Sequence, residues 1–111
     1  MAQTISYPFG EADLQQPDYA ATLEVTISNQ LTILDPATLT GNMTINLTIN
    51  QGVKAGALLL CELTATATEV STFGTGFTSP TLTGVAGKTK VMMFMYDGTS
   101  FKPWAAGYQI D

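Results

Sequence analysis

The chain has no histidine and no arginine, a single cysteine, and only 12% charged residues. Each shortage removes a class of function. Without histidine the commonest general base, the commonest metal ligand and the usual catalytic triads are gone. One cysteine and no histidine leave no zinc site of ordinary spacing. Cys61 has no partner for an internal disulfide and, inside an apolar run, reads as a small buried hydrophobe. With four lysines and a net charge of −5, the chain lacks the bidentate guanidinium groups that suit phosphate. It is therefore expected to bind neither nucleic acid nor nucleotides. No run approaches the ~20 consecutive apolar residues of a membrane-spanning helix. The N-terminus carries neither a basic region nor an apolar core of a signal peptide, so synthesis and folding in a reducing cytoplasm are expected.

The partial motifs fail for identifiable reasons. Gly84-Val85-Ala86-Gly87-Lys88-Thr89 resembles the end of a phosphate-binding loop, but Leu82 stands where that motif needs glycine, and a strand pattern follows instead of a helix. The carboxylates are spread one per strand or loop. The acidic group Glu11, Asp13 and Asp18 lacks the spacing of a calcium loop. Asn42-Met43-Thr44 and Asn46-Leu47-Thr48 match the glycosylation pattern, yet they lie in a strand and read as alternation alone. No catalytic residue, cofactor or metal is expected, and the chain is not expected to be an enzyme.

What is present is β-pattern. At 111 residues and 45% apolar content, the chain is long enough for one modest core. Thr, Asn, Ser and Gln supply the polarity that charge usually does, which suits a surface largely covered by neighbours. Residues 1–18 hold Pro8, Gly10 and Pro17 around Tyr7 and Phe9 and read as an extended N-terminal arm. Residues 19–111 read as one domain. Leu23, Val25 and Ile27 alternate with polar residues, as do Met43, Ile45, Leu47 and Ile49. Leu31–Leu34, Ala57–Ala67, Glu69–Phe73 and Thr78–Thr83 add further strands, separated by turn residues. About eight antiparallel strands in a β-sandwich or jelly roll are the expectation.

The stretch Lys88–Trp104 carries the most information. Val91–Tyr96 and Thr99–Trp104 flank Asp97-Gly98, a strong hairpin signal, and a two-residue turn would set Phe94 opposite Phe101. Val91–Tyr96 is apolar on both faces: Val91, Met93 and Met95 on one, Met92, Phe94 and Tyr96 on the other. A sandwich strand needs one apolar face for its own core. The surplus face predicts assembly, with Tyr7, Phe9, Met92, Phe94, Tyr96, Phe101 and Trp104 as candidate interface residues and Val91, Met93 and Met95 as the other possible set.

The pieces LTGNMTINLTIN, AGALLLCELTATATEVSTFGTGF and PTLTGVAGKTKVMMFMYDGTSFKPW, in that order, resemble a small β-domain of tailed-bacteriophage virion structural proteins, found in head-surface, fibre and tail proteins. Phe73-Gly74, Pro80-Thr81-Leu82, Gly87-Lys88 and Phe94–Phe101 carry the resemblance, which spans about two thirds of the chain. Where that pattern often has Asp-Gly or a glycine pair, this chain has Thr66-Ala67-Thr68. The resemblance implies a non-enzymatic virion protein, usually homo-oligomeric, and suggests a trimer. A capsid auxiliary (decoration) or neck-associated role is expected, because a short chain with only an arm must attach by itself. The alternative is a receptor- or carbohydrate-binding tip domain of a fibre, using Tyr96, Phe101, Trp104 and Tyr108.

Overall fold

The computed structural model describes residues 4–7, 10–78, 81–104 and 107–111. Phe9, one of the expected interface residues, lies outside them. Every regular element among the described residues is a strand: β1 (Thr4–Tyr7), β2 (Gly10–Gln15), β3 (Thr22–Ile27), β4 (Leu31–Leu34), β5 (Met43–Ile49), β6 (Leu58–Thr64), β7 (Val70–Phe73), β8 (Thr81–Thr83), β9 (Thr89–Tyr96), β10 (Phe101–Pro103) and β11 (Tyr108–Gln109). The large sheet has the order β1-β2-β4-β6-β9-β10, with β11 also on β9. The small sheet has the order β3-β5-β7-β8.

From β2 to β7 the chain changes sheet at every strand, so each strand pairs with the next but one. These pairings are parallel: β2 with β4, β4 with β6, β3 with β5, and β5 with β7. The first part of the fold is thus a flattened coil of three rungs. β8 and β9 then reverse direction and cap it, antiparallel on β7 and β6. The expectation of a wholly antiparallel sandwich is corrected here. Alternating burial is the same in either strand direction, so it reported the faces and not the pairing.

The coil is held between rungs by asparagines four residues apart. Asn42 Oδ1 accepts the Val70 N–H, and Asn46 Oδ1 accepts the Thr75 N–H while its amide donates to Glu24. Asn50 donates to the Ser28 hydroxyl at 2.9 Å. The side chains that matched a glycosylation pattern are rung ties. At the Thr66–Glu69 turn, the Glu69 carboxylate accepts the N–H groups of Thr66 and Ala67 and the Thr66 hydroxyl.

Between the sheets lie Leu23, Val25, Ile27, Met43, Ile45 and Leu47 from the small sheet and Leu34, Leu59, Cys61, Leu63, Met92 and Phe94 from the large one. Phe94 packs at 4.9 Å from Phe73 and 5.0 Å from Phe77, edge to face, tying the two sheets together. One polar atom inside is unmatched: the Oγ1 of fully buried Thr32 has no hydrogen-bond partner among the described residues.

The segment expected to be an arm is attached to the domain at its C-terminal half. Ala12–Gln15 of β2 pair with β4, and Ala12 is buried.

Candidate functional site

The hairpin of β9 and β10 closes more widely than a two-residue turn. Phe101 pairs with Tyr96 and Pro103 with Phe94, so the loop is Asp97-Gly98-Thr99-Ser100. The Asp97 carboxylate accepts the N–H groups of Thr99 and Ser100 at 2.8 and 2.9 Å and meets Lys102 at 2.9 Å. Gly98 has φ +98, a left-handed conformation that a side chain would strain. The Ser100 and Thr99 hydrogen bonds and the Lys102 ammonium hold the Asp97 carboxyl below the usual carboxylate range. Tyr96 stacks on Phe101 at 5.0 Å and donates its hydroxyl to the Gly98 carbonyl.

The two faces of β9 go to different places. Met92 and Phe94 point into the core, as does Phe101 of β10, and all three are buried. They are corrected here from candidate interface residues to core, because the sandwich already uses their whole surface. Tyr96 is half-buried against that core. Tyr7 belongs to edge strand β1.

Val91, Met93 and Met95 lie on the opposite face, looking away from the small sheet. The register aligns them with apolar neighbours across the large sheet. Leu14, Ile33, Leu60 and Met93 form one row, and Ala12, Leu31, Leu58 and Met95 a second, in which Ala12 and Leu31 are buried. Glu62, Val91 and Tyr108 form a third. The Trp104 N–H donates to the Met93 carbonyl at 2.9 Å, which continues the β10 register and sets Trp104 at the end of the first row. Trp104 and Tyr108 are 61% and 62% exposed.

These rows enclose a shallow groove of about 370 Å³ whose side-chain lining includes Ile33, Leu60, Glu62, Val91, Met93 and Tyr108. The approach of β11 to the groove depends on Gly107, where a Cβ would lie 2.5 Å from Leu82 Cδ1. Cys61 passes beneath the groove with its side chain in the core. Burial pushes its thiol up to about 12, so it stays protonated and is no nucleophile. Among the described residues no group of three or more Cys, Asp or Glu side chains could hold a metal ion.

The outward face of the small sheet is the opposite in character. Thr22, Thr44, Thr72 and Thr81 stand in one row and Thr26 and Thr48 in another, with Glu24 and Asn46 between. Sequence pattern alone does not pick out Ile33, Leu60 and Glu62 as partners of Met93 and Val91. Only the parallel pairing of β4 with β6 brings them to one face. The usable signal was the near-continuous apolar run Ala57–Cys61, which resembles a strand covered on both faces.

Comparison with known proteins finds no match to the chain among family models, curated proteins or solved structures.

Proposed function

We propose that the chain is a non-enzymatic structural protein of a tailed-bacteriophage particle, which docks through the outward face of its large sheet onto capsid or neck proteins. One observation carries the docking: the partly buried side chains of Leu14, Ile33, Leu60 and Met93, with Leu58 and Met95 next to them and Trp104 and Tyr108 beside, look away from the small sheet. Contiguous apolar surface of this kind marks interaction sites in soluble proteins. Its location in the virion, and its choice as a capsid auxiliary protein over other particle components, rest on the resemblance of Leu39–Trp104 to phage β-domains. Self-association accompanies docking in this reading, and the resemblance favours a trimer.

The test is co-sedimentation of the labelled chain with particles of its phage that lack it. Saturable binding is expected, weakened about tenfold or more by Met93→Glu, which places a charge in the apolar face. Absence of binding, or binding indifferent to that change, would overturn the docking face.

A second reading is favoured by the exposed aromatics. Trp104 and Tyr108 flank a groove containing one carboxylate, Glu62, an arrangement that suits stacking on a sugar ring with a polar contact beside it. Under it the chain is a receptor- or carbohydrate-binding domain of a fibre tip. Trp104 is the only tryptophan, so its fluorescence reads a glycan titration directly.

A further inference from the structure

The coil ends in four strand edges, and three are capped by antiparallel strands. β1 covers β2, β9 covers β6, and β8 covers β7. The outer edge of β3 has no strand beside it among the described residues. β3 is also an unprotected edge by its sequence. Thr22-Leu23-Glu24-Val25-Thr26-Ile27 has no proline and no lysine, the devices that usually blunt an edge.

In the parallel ladder with β5, alternate residues of β3 turn their backbone groups inward. The Ala21 and Ile27 carbonyls accept from Thr44 and Asn50, which assigns the odd-numbered residues to β5. The N–H and C=O groups of Thr22, Glu24 and Thr26 therefore face the open edge. The Thr26 carbonyl accepts one side-chain bond, from Gln15 Nε2 at 2.9 Å.

We infer that β3 pairs with β3 of a second copy, antiparallel about a two-fold axis at Val25, joining two small sheets into one. The occupant follows from self-complementarity. A two-fold axis perpendicular to the sheet requires a residue to face itself. With Val25 at the centre, Glu24 faces Thr26 of the other copy, and the backbone groups of both point to the open edge. Both hydrogen bonds can then form once the Thr26 carbonyl takes a second donor beside Gln15 or exchanges Gln15 for it. Leu23 then faces Ile27 and Val25 faces Val25 on the core side. Centring on Glu24 instead would oppose two carboxylates. Asn46 draws the Glu24 carboxylate back toward β5 at 3.1 Å, off the seam.

The other free edge of the small sheet is a poor alternative partner. β8 has three residues, and its Thr83 carbonyl already accepts from Lys90 Nζ at 2.8 Å. Head-to-tail stacking of β3 on β8 would also leave an open fibre, whereas pairing β3 with itself closes at two copies.

The pairing does not involve the outward face of the large sheet, so its test is separate from that of particle docking. For the chain in solution it puts a two-fold dimer in place of the trimer that the resemblance alone suggests. Sedimentation velocity of the full chain should show a dimer whose proportion rises with concentration, with the Glu24 and Thr26 amides gaining protection from hydrogen exchange as it forms. Thr26→Glu sets two carboxylates opposite each other at both ends of the seam and should weaken the dimer about fivefold. Thr26→Lys, facing Glu24, should leave it unchanged or tighter. Glu24→Pro removes an edge donor and the side-chain bond from Asn46 but no backbone bond to β5, and should weaken the dimer about tenfold or more. Should that variant not fold, the Thr26 pair of substitutions decides the matter, since Thr26 is exposed. Met93→Glu should leave the dimer intact. A wild-type chain monomeric at every concentration, or a dimer equally affected by Glu and Lys at position 26, would overturn the inference.

Discussion

The two faces of β9 are nearly equal in hydrophobicity and opposite in fate. Met92 and Phe94 are enclosed between the sheets, while Val91, Met93 and Met95, one residue out of phase, stand half-exposed beside Leu60 and Ile33. Composition does not separate them. What separates them is that this strand's inward side faces β-strands of the same chain, and its outward side faces none among the described residues. An apolar face of a strand therefore states that a partner is needed, and the topology decides whether the chain supplies it.

That contrast can be tested by truncation on either side. Phe94→Ala removes the ring that bridges Phe73 and Phe77 and should cost about 3–5 kcal/mol in denaturant unfolding. Leu47→Ala, on the opposing sheet, should cost about 2–5 kcal/mol for the same reason. A midpoint equal to wild type for either would show that the inner face is not the core.

A smaller effect of opposite sign is expected at Thr32. Its hydroxyl is fully buried without a partner, so Thr32→Val keeps the shape and removes the desolvated oxygen. Stability should rise by about 1 kcal/mol. A loss of stability would indicate a hydrogen-bonded water at that position. On the outward face, Met93→Ser should change the stability of the isolated chain by about 1 kcal/mol or less, because Met93 is only half-buried. Its consequence belongs to docking, and a loss comparable to Phe94→Ala would erase the distinction between the faces.

The smallest effect is that of pH. Hydrogen bonds from Thr66 and Ala67 hold Glu69 below its ordinary range, as Ser100, Lys102 and Thr99 hold Asp97. A carboxyl with a depressed folded pKa stabilises the fold above its unfolded value, and that contribution is lost as pH falls through the folded one. Melting temperature should therefore decline on acidification below about pH 4. Asp97→Asn and Glu69→Gln should flatten that decline. Both carboxylates are on exposed turns, so the shift should be modest.

Strand positions were largely legible in the sequence. Leu31–Leu34 and Met43–Ile49 occur as the pattern predicts, and the alternating apolar residues Leu23, Val25, Ile27, Met43, Ile45 and Leu47 are all buried. Strand direction was not legible, because a period of two is the same in parallel and antiparallel neighbours. One clue was the spacing of Asn42, Asn46 and Asn50, in and beside β5, each of which bonds a neighbouring rung. The hairpin register was missed by two residues for a chemical reason. Asp-Gly suggests a tight turn, but Asp97 captured the N–H groups of Thr99 and Ser100 and widened it. The candidate site was half legible: the surplus face was visible in Val91–Tyr96, but its choice between Met92/Phe94 and Val91/Met93/Met95 needed the sheet order.

The coil has a kinetic consequence. Ala12 meets Leu31, and Leu31 meets Leu58, 27 residues further on, while Thr22 meets Thr44 and Thr44 meets Thr72. Every rung must therefore close a long loop before its ladder returns any free energy, and such non-local topologies fold in milliseconds to seconds rather than microseconds. The β9–β10 hairpin needs only four loop residues. It can form early and offer Met92 and Phe94 as a surface on which the slower rungs collapse. A chain still lacking β9 would leave Leu59, Cys61 and Leu63 without their antiparallel neighbour, so completion of the fold waits on the C-terminal strands.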